Sequence, residues 1–244
     1  MADISRAQDQ LFDAGRSPRE KFAALVVGRP GWGPLLKYEF VQQASQHVPG
    51  ALGLALRKVM YPWLLGACGR NVVFGQNVVL RHPHKIRIGD DVVIDDNCLI
   101  DAKGESNAGI AIGSGVFMGR NSILSCKNGD IAIGDWANIG FNCEVFSASR
   151  VAIGAHTLLA AYCYVIGGDH DFSDPSVPVL EQGRRSAGVA IGSGAWLGAG
   201  AKILDGVTVG DRAIVGAGAV VREAVPAGAI AVGIPAKVVG QRGV

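Results

Sequence analysis

From Ile88 to Val225 the apolar positions recur every six residues. Reading from Ile133 gives IGDWAN, IGFNCE and VFSASR; reading from Ile191 gives IGSGAW, LGAGAK, ILDGVT, VGDRAI, VGAGAV and VREAVP. An aliphatic residue opens each unit, a small or acidic residue usually follows, and a small residue returns four places after the opener. A period of six fits neither an amphipathic helix nor one long strand. It fits a solenoid with a short strand and a bend in every unit, three units closing one triangular coil of about eighteen residues. Stacked by coil, the openers are Ile88, Ile94, Ile100; Ile112, Met118, Leu124; Ile133, Ile139, Val145; Ile153, Leu159, Val165; Ile191, Leu197, Ile203; and Val209, Val215, Val221. Each column predicts a ladder of parallel strands about 4.8 Å apart. A buried Ile or Leu contributes roughly 1.5–3 kcal/mol, so such a ladder can hold the fold without a globular core.

The places four after the openers include Cys98, Ser122, Ala137, Cys143, Thr157, Cys163, Ala195, Ala201, Ala213 and Ala219, small enough to fill tight corners. Cys68, Phe74 and Leu80 extend the opener spacing backwards. Insertions widen the third turns at 81–87, 101–111, 125–132 and 146–152. The largest interruption lies between Val165 and Ile191, where about twenty residues leave the coil as a loop. The predicted fold class is an all-β solenoid, a parallel β-helix with an N-terminal helical segment and an extruded loop near 167–188. Its parts are a helical segment over 1–67, the solenoid over 68–226, and a closing turn and tail over 227–244.

Before the solenoid, Ser17-Pro18 has the cap-then-proline order of a helix start over 18–29. Gly31-Trp32-Gly33-Pro34 reads as a break, Leu35 to Val48 as a second helix, and ALGLALRKVMYPWLL (51–65) as a more apolar third segment. Two readings of 35–65 stay open. One is a cap over the first coil, whose strand edges otherwise lack partners. The other is peripheral contact with a membrane surface through the apolar residues, the Arg57-Lys58 pair, Tyr61 and Trp63. No stretch approaches the roughly 20 apolar residues of a spanning helix. Met1 to Asp13 is polar, with no apolar core of a signal peptide.

Composition sharpens this picture. The 244 residues are 49% hydrophobic but only 7% aromatic, with 35 glycines, which suits a stacked solenoid. A formal charge of +2 gives no reason to invoke nucleic acid. The five cysteines have no CxxC spacing and read as compact reduced side chains, pointing to a cytoplasmic protein.

The loop carries His170 between Asp169 and Asp171. An imidazole there can accept a proton from an attacking hydroxyl. Downstream, Gly198-Ala199-Gly200 and Gly216-Ala217-Gly218 would form a flat edge along which a long cofactor can lie. The repeat, together with a loop that leaves after Val165-Ile166-Gly167-Gly168 and returns at Val189-Ala190-Ile191-Gly192, resembles the hexapeptide-repeat acyltransferases. The resemblance is to the galactoside, maltose and xenobiotic acetyltransferases and the polysaccharide O-acetyltransferases. It implies a left-handed β-helix, a homotrimer, acetyl-CoA as co-substrate with no metal, and transfer to a hydroxyl of a sugar or glycoconjugate. It implies His170 as general base, with Trp196, Gly198, Ala199, Ala217 and Arg222 along the cofactor. It also implies an acceptor contact at Asn142, with Glu144 and Asp171 as further candidates. Arg222 stands where the family often has Lys; a later basic residue is replaced by Gly240, leaving Lys237 or Arg242 to substitute.

Two rivals remain on the same fold. A zinc enzyme of the gamma carbonic anhydrase type needs three converging histidines, and the chain offers His47, His82, His84, His156 and His170. A non-catalytic scaffold would bind no acyl-CoA. N-acetylation of an amino sugar is the nearest chemical variant.

Overall fold

A computed structural model describes residues 14–243. The expected absence of a signal peptide over 1–13 lies outside the described residues. Short parallel strands build three faces of a prism, each strand pairing with its equivalents one coil away. The first face runs from Ala67–Cys68 through Ile86–Ile88, Ile110–Ile112, Asp130–Ile133, Arg150–Ile153 and Val189–Ile191 to Thr208–Val209. The second starts at Val73–Phe74 and the third at Val79–Arg81. Seven turns are complete, and Ala229–Val232 begins an eighth by pairing with Ile214–Val215.

The register is the one the repeat predicts. Ile133 pairs with Ile112 and Ile153, Ile139 with Met118 and Leu159, and Val145 with Leu124 and Val165. All eighteen openers are buried. So are the small positions, and their polar members are satisfied: Ser122 Oγ donates to Gly140 O and Thr157 Oγ1 to Gly192 O. The corners between second and third faces stack a column of left-handed residues, Asn77, Asn97, Asn121 and Asn142, with φ between 55° and 60°. Asparagine tolerates this conformation because its short polar side chain bonds locally.

Among the described residues, three α-helices close the lower end: α1 (Pro18–Phe22), α2 (Trp32–Ser45) and α3 (Gly50–Met60). Ser17 and Glu20 form a reciprocal capping box at α1, which passes into a π-helical turn at Ala23–Val27. The second helix begins at Trp32, earlier than predicted, and ends at Ser45. Gly33 and Pro34 fall in its first turn, where backbone N–H groups have no intrahelical acceptor and the proline costs no bond.

The first coil has no coil beneath it, so its downward carbonyls need donors from elsewhere. Arg57 Nε donates to Phe74 O (2.9 Å), Tyr61 Oη to Val78 O (2.8 Å) and Tyr38 Oη to Leu80 O (2.9 Å). In the next coil the equivalents of the first two, Ile94 O and Cys98 O, accept from Gly75 N and Val79 N. The buried side chains therefore stand in for a missing strand. This corrects the reading of Arg57 as a membrane-facing cation: it is 1% exposed and also bonds Ser45 O and Val48 O. No helix among the described residues is long and apolar enough to cross a membrane. At the upper end, Lys237–Gln241 returns antiparallel to Ala229–Val232, so the second face runs on past residue 226.

Candidate active site

The loop leaves the corner between third and first faces. Its base is a two-stranded ribbon in which Asp169 and His170 pair with Arg185 and Arg184. Further out, Gln182 ties the turn together: its Nε2 donates to Asp174 O and Val177 O, and its Oε1 accepts from Asp174 N. Arg185 lies over the Phe172 ring, 5.3 Å from its centroid. These contacts hold an insertion that has no coil of its own to pair with.

His170 is half-buried, and its Nδ1 is enclosed with no hydrogen-bond partner among the described residues. The flanking aspartates bond backbone: Asp169 Oδ1 accepts the His170 N–H (2.8 Å), and Asp171 Oδ1 accepts the Ser173 N–H (3.0 Å). The Ser173 backbone bond holds the Asp171 carboxyl below the usual carboxylate range, with smaller help from Arg185. Both carboxylates therefore shape the loop around the imidazole.

The other residues singled out by sequence lie elsewhere on the prism. Trp196 projects from the second face, 47% exposed. Gly198, Ala199 and Ala217 follow at the corner between second and third faces, the edge that also carries Asn142; Glu144 is beside it on the third face. Along this edge the coils pack backbone to backbone. A Cβ on Gly198 would lie 2.5 Å from Ala217 N, whereas one on Gly218 would meet nothing within 4 Å. The result is a shallow lane of small residues open outward. Arg222 is exposed just past the third face. One chain thus gathers Asn142, Trp196, Gly198, Ala199 and Ala217 along one edge and puts His170 on another, opposite the second face.

Sequence reasoning passed over the residues that pin the loop's return. Asp205 accepts from Ala187 N (2.8 Å) and Gly188 N (2.9 Å). Ser186 Oγ donates to Gly167 O (2.9 Å) and lies 2.6 Å from Ser149 Oγ. The only signal was the Asp205-Gly206 turn, which reads as an ordinary corner. His82 and His84 sit at the foot of the first coil, and His156 is exposed at a different corner. Among the described residues no three His, Cys, Asp or Glu side chains are grouped to hold a metal ion.

Comparison with known proteins bears on this arrangement. Residues 188–223 match the family described as bacterial transferase hexapeptide (six repeats). The chain is 34% identical over 181 residues to the probable acetyltransferase Rv3034c of Mycobacterium tuberculosis, covering 74% of this chain and 58% of the relative. It is 47% identical over 111 residues to nodulation protein L of Rhizobium leguminosarum bv. viciae, covering 45% of this chain and 56% of the relative. It is 28% identical over 134 residues to the putative colanic acid biosynthesis acetyltransferase WcaF of Escherichia coli, covering 55% and 70%. The chain thus spans a little over half the length of the first two. Among solved structures, AntD, an N-acyltransferase from Bacillus cereus in complex with dTDP and 3-hydroxybutyryl-CoA, superposes with a TM-score of 0.53. That match covers 73% of this chain and 84% of AntD at 22% identity, a likeness of fold. With the six-residue period running through its coils and these matches across it, the chain carries the bacterial transferase hexapeptide repeat and is similar to acetyltransferases built on it.

Proposed function

We propose that this protein is an acyl-CoA-dependent O-acetyltransferase that moves an acetyl group from acetyl-CoA to a hydroxyl of a sugar or glycoconjugate. The observation that carries the reading is a structured loop, pinned to the rigid solenoid, that holds a half-buried histidine with an unsatisfied ring nitrogen. His170 removes the proton from the acceptor hydroxyl, and the oxygen attacks the thioester carbonyl. A backbone N–H stabilises the oxyanion; its collapse breaks the C–S bond, and protonated His170 returns its proton to the leaving sulfur, releasing CoA as its thiol. No acyl-enzyme is needed. The acetyltransferase names of the mycobacterial and colanic acid relatives support the donor, and the latter supports a glycan acceptor.

The cofactor reading places pantetheine in the lane beside Trp196, along Gly198, Ala199 and Ala217, with its nucleotide toward Arg222. Asn142, Glu144 and Asp171 are the acceptor contacts. Since His170 and the lane occupy different edges of one chain, the complete site forms between neighbouring subunits of a homotrimer. Calorimetric titration with acetyl-CoA should show saturable binding near one per chain. His170→Ala should keep that binding and lose transfer by about 10²–10⁴-fold. Full activity in this variant would remove His170 from the mechanism; absence of acetyl-CoA binding by the folded wild type would remove the transferase reading.

A further inference from the structure

A cavity of about 750 Å³ lies at the other end of the solenoid, between the N-terminal helical segment and three successive corners. It is lined by Gly15 to Gly31 on one side and by residues of the 82–85, 103–105 and 127–128 corners on the other. No role assigned above uses it. Among the described residues that line it, the cations Arg16, Arg19, Arg29, Lys85, Lys103 and Lys127 outnumber the two carboxylates, Glu20 and Glu105. A chain with a net charge of only +2 has concentrated six cations in one concavity.

The walls are cross-linked, so the cavity is formed without a ligand. His82 N donates to Val26 O (2.7 Å) and His82 Nε2 lies 2.9 Å from Ala24 O, tying the first corner to the helical segment. Lys85 Nζ donates to Gly104 O and Asn107 Oδ1, tying the first corner to the second. Asn128 N donates to Lys103 O and Asn128 Oδ1 accepts from Glu105 N, tying the second to the third. Gly28 seals the seam: its φ is +73°, and a Cβ there would lie 2.5 Å from His82 Nδ1.

Lys103 is the most telling residue. It is half-buried, and its ammonium makes no side-chain hydrogen bond to a described residue. Burial pushes its pKa down, as it does for Lys85, with Arg81 adding to the shift at Lys103 and Asp101 opposing it. Partly desolvated cations gathered in a preformed cavity suit an incoming polyanion that restores their solvation. The volume falls within the range for whole small-molecule ligands rather than a single ion.

We propose that this cavity binds the phosphoryl or diphosphate group of a phosphorylated small molecule. The site is separate from the lane beside Trp196 and does not depend on the transferase reading. The group engages Lys103 and Arg29, and the remaining volume accommodates the organic part. Two kinds of ligand share this chemistry, a free polyphosphate and a nucleotide or sugar carrying phosphate.

The test is calorimetric titration of the full chain with inorganic pyrophosphate, uridine diphosphate, glucose 1-phosphate and uridine. We expect saturable binding of at least one phosphate compound near one per chain, weakening as salt rises. Lys103→Glu and Arg29→Glu should each weaken it at least tenfold, while Lys58→Glu, on α3 and outside the cavity, should leave it unchanged. Arg29 is exposed, so its variant tests the site even if Lys103→Glu unfolds, which melting curves would reveal. Tighter binding of uridine diphosphate or glucose 1-phosphate than of pyrophosphate assigns the site to an organic phosphate; equal or weaker binding assigns it to free polyphosphate. Absence of saturable binding to all three phosphates overturns the proposal. So does equal binding of uridine and uridine diphosphate, or an equal loss in Lys58→Glu.

Discussion

Asn142 occupies a left-handed corner that it shares with Asn77, Asn97 and Asn121, where Tyr162, Gly200 and Gly218 continue the column. Backbone conformation alone is enough to favour asparagine there. The proposed acceptor contact at Asn142 therefore needs its own test, whereas His170, in an insertion the solenoid does not require, has no such structural explanation. His82 illustrates a purely structural histidine. Burial pushes its pKa down to about 4, against the pull of the Ala24 carbonyl. In the unfolded chain it titrates near ~6.5. Between these values the unfolded state binds more protons, so stability falls as pH drops through this window and the loss is complete below about 4. The full effect is on the order of 3 kcal/mol. Urea midpoints measured between pH 7 and pH 4 should show it, and His82→Asn should have a visibly flatter profile; an identical profile would show that His82 is not held neutral.

The extruded loop is an element without a repeat. Its ribbon, the Gln182 staple and the Asp205 anchor replace the coil-to-coil ladder that fixes every other segment. Under the proposed function, Asp205 would be a positioning residue, acting on His170 through the loop's return segment. Asp205→Ala removes the acceptor for two N–H groups and should cost about 1–3 kcal/mol locally. We expect faster hydrogen exchange at Ser186–Gly188 and the Asp169–His170 strand, and a fall of about tenfold in kcat, with acetyl-CoA affinity unchanged. Unchanged exchange and kcat would show that the ribbon holds the loop by itself. The cap is the complementary element. Arg57 and Tyr61 look in sequence like parts of an amphipathic surface segment, because periodicity cannot distinguish a face turned to lipid from one turned to a strand edge. The carbonyls of Phe74, Val78 and Leu80, which no lower coil pairs and which Arg57, Tyr61 and Tyr38 bond instead, make that distinction.

Across the whole molecule, one prism presents its catalytic candidate and its small-residue lane on different edges. If neighbours complete each other's sites, inactive chains can rescue one another. Mixing His170→Ala with Trp196→Ala chains under conditions that exchange subunits should restore about a quarter of the sites in a cyclic trimer. Recovered acetyl transfer, absent from either variant alone, would establish the shared site; no recovery in verified mixed oligomers would return the chemistry to a single chain.

The six-residue period determined the coil register, because one buried aliphatic per face per coil leaves only one way to stack the columns. Ile133, Ile139 and Val145 were readable as neighbours of Ile153, Leu159 and Val165 from spacing alone. The loop was legible as an excess over the period, and His170 as the candidate base within it. Tertiary structure decided what depends on contacts between segments distant in sequence. Such contacts turned Arg57 inward to the first coil, tied Ser186 to Ser149 and Asp205, and gathered cations from a helix and three corners into one cavity. None of these carries a period. Each arises where the repeat stops or is interrupted, and there unpaired backbone groups and displaced charges must be satisfied by whatever the fold brings near.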